Sequence, residues 1–124
     1  TDLDRLAHRV IGAAIEVHRL LGPGFLEAVC EEALCVELAL RGMGFARQVP
    51  CGVRYKGNVV GQARMDLLVA DRLVVELEAV ESIAPIHVAQ LLSYLKAGNF
   101  RLGLLITFNV VVLRRGIRRV IHSC

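Results

Sequence analysis

The sequence predicts one α/β domain over residues 1–124, in which a central mixed β-sheet is flanked by helices. Three observations predict this fold. Two segments of helical periodicity open the chain, short apolar runs bounded by turn residues follow, and a third helical segment separates two of those runs. A helix between two apolar strands indicates a crossover within one sheet. The predicted order of elements is α-α-β-β-β-α-β-β-β.

The two N-terminal helices are indicated by their apolar spacing and by their ends. The first is expected to begin at Asp2 as its N-cap and to end at Gly22-Pro23, and the second covers residues 25–42 and ends at Gly42. The apolar positions of the first helix form a single stripe, made of Leu3, Leu6, Val10, Ala14, Val17 and Leu21.

Strand character begins after Gly42. Segments 45–55 and 58–69 flank Lys56-Gly57-Asn58, which predicts a hairpin, and Pro50 places the first of these strands at an edge or at a bulge. A three-residue loop, 70–72, joins the second strand to the third.

The C-terminal third of the chain is predicted to contain a helix and three strands. The helix runs from about Pro85, a residue favoured at the first helical position, to Gly98-Asn99. The apolar strand 100–108 follows it, and segments 110–113 and 117–121 predict a short terminal hairpin.

The composition is unusually apolar, with 55% hydrophobic residues and a mean hydropathy of +0.53. No window reaches the roughly 18 uninterrupted apolar residues of a membrane helix, so no membrane contact is predicted. The excess of apolar residues is expected in a buried sheet and in the subunit contacts of a homo-oligomer. The cysteines have neither C-x-x-C nor zinc spacing, which indicates reduced thiols in a cytoplasmic protein. Three are expected to be packed and Cys124 to be a free end; the others are Cys30, Cys35 and Cys51.

Three carboxylates interrupt the apolar hairpin at residues 65–81, namely Asp66, Glu76 and Glu78. If Val69 pairs with Leu73, Asp66 faces Glu76. Opposed Cβ atoms lie about 4.5–5.5 Å apart, a span that two carboxylates can bridge through one divalent cation.

The same register places Arg64 opposite Glu78, on the same face as the other carboxylates. Two resolutions of the charge repulsion therefore remain open: a bound Mg²⁺ or Mn²⁺, or neutralisation by Arg64. On the following helix, one face carries Gln90 and Tyr94, close to the carboxylates. That spacing alone is equally typical of an amphipathic surface.

Basic residues offer candidate contacts to DNA or RNA. The run "RRGIRR" suits phosphate groups, although a solvated basic turn explains it equally well. The candidate nucleic-acid-binding residues are Arg64, Lys96, Arg114, Arg115, Arg118 and Arg119.

Six segments together resemble the small bacterial GxxExxY proteins, which are grouped with the PD-(D/E)XK nuclease-like superfamily. These segments are "GFLEAVC", "EEAL", "ARQVPCGVRYKG", "ARMDLLVADRLVVELEAVE", "HVAQLLSYL" and "RLGLLITFNV", which cover nearly the whole chain in order. The resemblance implies a restriction-endonuclease-like core with acidic metal ligands on a β-hairpin and Mg²⁺ or Mn²⁺ as cofactor. If active, the protein would be a metal-dependent phosphodiesterase.

The resemblance also implies roles for individual residues. Gly24 and Glu27 match the glycine and glutamate of GxxExxY, and Gln90 and Tyr94 match a helix typical of exonuclease-like members. The implied metal ligands are Glu27, Asp66 and Glu76, and the implied catalytic positions are Asp66, Glu76, Glu78, Gln90 and Tyr94.

Two positions depart from the family pattern. Cys30 stands where the motif has tyrosine, and Glu78 stands where the (D/E)-x-K strand has its lysine. In these enzymes that lysine orients the attacking water and stabilises charge on the scissile phosphate, whereas a carboxylate would repel the phosphodiester.

Three functional interpretations follow. The first is a nuclease fold impaired by Glu78 that still binds divalent metal, nucleic acid or both. The second is an active Mg²⁺-dependent nuclease in which Arg64 or Lys96 replaces the lysine. The third is a self-assembling structural protein in which Glu78 is ion-paired with Arg64 and the acidic site is vestigial.

Overall fold

A computed structural model describes residues 1–123 and confirms the predicted α/β class. The helices are α1 (Asp2–Leu21), α2 (Glu27–Leu40) and α3 (Pro85–Gly98), and the strands are β1 (Phe45–Tyr55), β2 (Asn58–Val69), β3 (Leu73–Glu78), β4 (Leu102–Thr107) and β5 (Ile117–Ile121). The strands form one five-stranded sheet of order β1-β2-β3-β4-β5, which is mixed because β3 and β4 are parallel while every other neighbouring pair is antiparallel.

The sheet separates two apolar layers, because alternate residues of a strand point to opposite faces. Leu73 and Val75 of β3 belong to the core cluster that also contains buried residues of α1 and α2. Val74 belongs to the second cluster, together with Leu91 and Leu95 of α3. Helix α3 connects the parallel strands β3 and β4, and this connection is the crossover that the sequence predicts.

The start of α1 differs from the prediction by one residue. Thr1 is the N-cap, because its hydroxyl accepts a hydrogen bond from the Asp4 backbone N–H at 3.1 Å. Asp2 is already helical. A threonine hydroxyl and an aspartate carboxylate are both effective caps, so the two adjacent candidates could not be ranked from the sequence.

The hairpins predicted at residues 56–58 and 70–72 both form. The strand that contains Pro50 lies at the sheet edge, and Val69 pairs with Leu73 across the three-residue loop. The β1–β2 ladder carries a feature that the sequence does not reveal: its register shifts by one residue between Val53 and Arg54.

The predicted terminal hairpin is wrong in its first strand. Val110–Val112 lie outside the sheet, and a short 3₁₀ helix, Leu113–Gly116, connects them to β5. The reason is that β5 pairs with β4 itself, with Ile117 opposite Ile106, so residues 108–116 serve as the connection. A Cβ atom at Gly116 would collide with the backbone oxygen of Thr107, which explains a glycine at this close approach.

Cys30, Cys35 and Cys51 are buried free thiols, as predicted. The expectation for Cys124 lies outside the described residues. Within residues 1–123, no helix is long and apolar enough to cross a membrane.

Candidate active site

The site is built on the interlocked carboxylates of Asp66 and Glu76. The backbone ladder between β2 and β3 ends at the Leu67–Val75 pair. Beyond it, Glu76 Oε2 accepts a hydrogen bond from the Asp66 backbone N–H, and Asp66 Oδ2 accepts one from the Leu77 backbone N–H, each at 2.8 Å. The two side chains thus replace backbone pairing where the strands separate, and they face each other as the predicted register requires.

Glu76 is the more buried of the two, with 6% of its surface exposed. Burial raises the pKa of its carboxyl to about 9, and the negative charges of Asp66 and Glu78 act in the same direction. The hydrogen bond from the Asp66 backbone opposes the shift but does not cancel it. At neutral pH the Glu76 carboxyl therefore holds a proton.

Glu27, the first residue of α2, belongs to the same charge cluster. Burial raises the pKa of its carboxyl to about 7, followed by the repulsion of Asp66 and Glu78. Glu27 is the first residue of α2, and its carboxyl lies close enough to Asp66 and Glu78 for their charges to act on it. A narrow cleft between these elements is lined by Phe25, Glu27, Cys30, Leu77, Glu78, Ala79, Phe108 and Asn109.

Glu78 occupies the last position of β3, opposite Thr107 of β4. It is half-buried, and its charge contributes to the raised pKa values of both Glu27 and Glu76. The position that the resemblance assigns to a catalytic lysine therefore adds negative charge to a site already rich in it.

The arginine proposed to neutralise Glu78 does not do so. Arg64 is exposed and forms no ion pair with Glu78 in the described part of the chain. The groups that shift the pKa of Glu76 are Asp66 and Glu78, with no cation among them. Lys96, the other proposed substitute, is exposed on α3.

Two further residues of the site, Gln48 and Glu31, were not predicted from the sequence. Gln48 lies between the Arg47–Leu67 and Val49–Met65 pairs and therefore opposite Asp66. Its Nε2 donates to Glu31 Oε1 at 3.1 Å and to Asp66 Oδ1 at 3.5 Å. Gln48 has φ = +51°, a conformation uncommon outside glycine.

Glu31 is anchored from its other side. Arg47 Nη2 donates to Glu31 Oε2 at 2.9 Å, and Arg47 Nη1 donates to Glu32 at 2.8 Å. The one-residue register shift between Val53 and Arg54 sets Gln48 opposite Asp66, since such a shift changes which residues oppose each other across the ladder. The four-residue spacing of Glu27 and Glu31 on α2 was the one available sequence signal.

Helix α3 places Tyr94 close enough to the carboxylates for their charges to act on it, and Gln90 contacts Tyr94. Burial raises the pKa of the Tyr94 phenol, and the nearby charge of Glu76 adds to the shift. Gln90 Nε2 donates to the Tyr94 hydroxyl at 2.9 Å. His87 has a structural role: its Nδ1 accepts a hydrogen bond from the Ala84 backbone N–H at the helix start.

A family model of the PD-(D/E)XK nuclease superfamily matches residues 4–120. The chain belongs to this superfamily. No curated protein and no solved structure matches it. The match covers both the acidic hairpin and the helix-flanked sheet, and nucleases of this superfamily typically use divalent metals.

The donor chemistry of the hairpin suits such a metal. Asp66 and Glu76 supply hard carboxylate oxygens, and crowding of negative charge is the condition that a divalent cation relieves. The three predicted ligands do not converge, however: among residues 1–123, no three histidine, cysteine or acidic side chains are arranged to hold a metal ion. The PD-(D/E)XK fold here thus presents an acidic pair, with Glu27 close enough to be affected by its charge.

The arginines of "RRGIRR" do not form one surface. Arg114 and Arg115 lie on the 3₁₀ helix, and Arg118 and Arg119 are consecutive strand residues that point to opposite faces of the sheet. Arg119 Nη2 is 2.6 Å from Asp4 Oδ1. The run is therefore divided among three environments.

Proposed function

We propose that this chain is a GxxExxY-type member of the PD-(D/E)XK superfamily that binds a divalent cation but does not cleave phosphodiesters. One observation carries the proposal: the negative charge of Glu78 lies close to Glu27 and Glu76 and contributes to the raised pKa of both carboxyls. The positively charged lysine on which the family's chemistry relies is thus replaced by a negatively charged glutamate.

The physical consequence differs for binding and for catalysis. A Mg²⁺ or Mn²⁺ ion is attracted by additional carboxylates, so Asp66 and Glu76 would hold it and Glu27 would turn toward it. A scissile phosphate is repelled by Glu78, and no donor at that position stabilises the charge that develops in the transition state. Glutamate at position 78 is therefore compatible with metal binding but opposes phosphodiester cleavage.

Nucleic-acid binding, if retained, would depend on basic side chains outside the acidic cluster. Arg64 and Lys96 are exposed and lie on the two elements that contribute Asp66 and Tyr94. Such contacts are electrostatic and independent of sequence, and they weaken steeply with salt. DNA and RNA are both candidates.

The test is to measure metal binding and cleavage on the same preparations. We expect Mn²⁺ to bind the unchanged chain in calorimetry and to bind Asp66→Ala at least about tenfold more weakly, because a charged ligand is lost. With Mg²⁺ or Mn²⁺, linear DNA, single-stranded DNA and RNA should be cut no faster by the unchanged chain than by Asp66→Ala. Cleavage that disappears in Asp66→Ala would contradict the proposed impairment, and equal Mn²⁺ affinity would contradict the metal site.

We also propose that the chain forms a homo-oligomer through the outer face of α2. Apolar residues recur along this face at alternating intervals of three and four, the spacing by which two like helices pack together. Their exposed fractions are 76% for Leu26, 41% for Val29, 53% for Val36 and 77% for Leu40. The stripe is completed by Ala33.

The charges beside the stripe favour a second copy as the partner. Glu32 is ion-paired with Arg47 at 2.8 Å, and Glu37 with Arg41 at 2.7 Å. Two such faces could pack without burying an unpaired charge, which is the costly step in association.

Val36→Glu is expected to shift the chain to monomer in sedimentation analysis, because it places a charge in the centre of the stripe. Val111→Glu is the matched control, since Val111 is 88% exposed in a loop distant in sequence from α2. A monomeric unchanged chain, or equal effects of the two substitutions, would contradict this assembly.

A further inference from the structure

A second cleft lies at the end of the sheet opposite to the carboxylates. Glu76 and Glu78 lie at the C-terminal end of β3, whereas this cleft is formed where β3 and β4 begin and where β5 ends. Its volume is about 510 Å³. That is within the roughly 300–1,000 Å³ typical of small-molecule sites.

Two arginines stand side by side at this cleft. In the parallel β3–β4 register Leu73 pairs with Leu102, so Arg72 and Arg101 immediately precede paired positions on adjacent strands. Neighbouring strands are about 4.8 Å apart. Both side chains line the cleft, and neither guanidinium forms a hydrogen bond or an ion pair within residues 1–123.

No acidic residue of the described chain forms an ion pair with Arg72 or Arg101. Asp71 lines the cleft, but it lies beyond ion-pair distance of both Arg72 and Arg101 in the described chain. Asp4 is already held by Arg119, with 2.6 Å between Oδ1 and Nη2. Two adjacent positive charges without a counterion repel each other, and an anion between them would relieve that repulsion.

The cleft also has an apolar wall. Phe100, Leu102 and Ile121 line it, and Ile121 is 66% exposed although it pairs with Leu102 in the sheet. An exposed branched side chain beside two unpaired arginines suits a ligand with one anionic end and one apolar end.

We propose that this cleft binds a small phosphomonoester, with Arg72 and Arg101 holding the phosphate and Phe100 and Ile121 contacting the organic part. The guanidinium fork matches phosphate oxygens in pairs. A phosphomonoester carries a charge of about −1.5 to −2 at neutral pH, which two arginines balance, whereas each phosphodiester of a nucleic acid carries one. The site is independent of the acidic hairpin and of the function proposed for it.

The test uses phenyl phosphate as the probe, titrated into the full chain and followed by calorimetry. We expect Arg72→Gln and Arg101→Gln each to weaken binding about tenfold to hundredfold, as loss of a charged hydrogen bond should. Arg114→Gln is the matched control, because Arg114 is an exposed arginine at the other end of the sheet. Asp66→Ala should leave phenyl phosphate binding unchanged. The phosphomonoester site and the metal site can therefore each be contradicted without affecting the other.

Two results would overturn the assignment. One is absence of phenyl phosphate binding at millimolar concentration, or an equal loss in Arg114→Gln. The other is binding of a single-stranded oligonucleotide that is lost in Arg101→Gln while phenyl phosphate does not bind, since that would identify a nucleic-acid surface instead.

Discussion

Glu78→Lys is expected to give the chain metal-dependent nuclease activity, at a rate about 10²–10³-fold above that of the unchanged protein, the effect of one transition-state donor. The lysine would place a cation beside the carboxylate pair, where the family's chemistry requires it. It would also remove the charge that now contributes to the raised pKa values of Glu27 and Glu76. The measurement is cleavage of linear DNA, single-stranded DNA and RNA with Mg²⁺ or Mn²⁺.

Two controls separate the causes of such a gain. Glu78→Gln removes the repulsion without supplying a cation, so an intermediate rate is expected from it. Asp66→Ala combined with Glu78→Lys should abolish cleavage, which excludes a contaminating nuclease. If Glu78→Lys binds Mn²⁺ but cuts no faster than the unchanged chain, loss of the lysine does not account for the inactivity, and the impairment lies elsewhere in the fold.

The acidic pair was predictable because its geometry depends on local features only. The loop at residues 70–72 fixes the pairing of Val69 with Leu73, and counting along the strands then places Asp66 opposite Glu76. What counting could not show is that the ladder stops at Leu67, where side-chain oxygens take over the backbone hydrogen bonds.

The contact of Gln48 with Asp66 depends on an irregularity in the β1–β2 ladder. A regular two-residue turn at Lys56-Gly57 would place Gln48 opposite Met65, and the shift between Val53 and Arg54 moves it opposite Asp66. A bulge of this kind has no unique sequence signature. The Gln48 contact to Asp66 and its link to Glu31 were therefore beyond prediction, although the proline of this strand indicated an edge position or a bulge.

The C-terminal error has a similar origin. Val110–Val112 have high β propensity, but propensity reports how well a side chain packs on a sheet, and these residues lie in the connection between two paired strands. The antiparallel return of β5 onto β4 fixes residues 108–116 as its connection. The same connection separates Arg114 from Arg119, so a cluster in the sequence does not become a cluster in space.

The stability of the chain is expected to fall as the pH rises from about 5 to 9. The pKa of Glu76 is raised by burial from 4.5 to about 9, so folding favours its protonated form. That contribution is complete below the unfolded pKa and is lost as the pH rises through the folded one. At about 1.4 kcal/mol per pKa unit, the loss should be on the order of several kcal/mol. Urea unfolding in the presence of EDTA measures it.

Glu76→Gln isolates this carboxyl, because glutamine has the same shape and does not titrate. Glu27, with a pKa of about 7, accounts for part of the slope below that pH. Between pH 7 and 9 the remaining slope belongs mainly to Glu76 and should vanish in Glu76→Gln. The control is Glu81→Gln, an exposed glutamate. A slope that persists in Glu76→Gln would contradict the assignment.

The same carboxyl links pH to metal binding. A carboxyl that is protonated in the free protein must lose its proton to become a metal ligand. Mn²⁺ binding at pH 8 should therefore release about one proton per ion, measured by calorimetry in two buffers of different ionisation enthalpy. Glu76→Gln should abolish most of this release, whereas Asp66→Ala should weaken binding itself. Binding without proton release would mean that Glu76 is not a ligand, and the cation would then be held by Asp66 with Glu27 or Glu78.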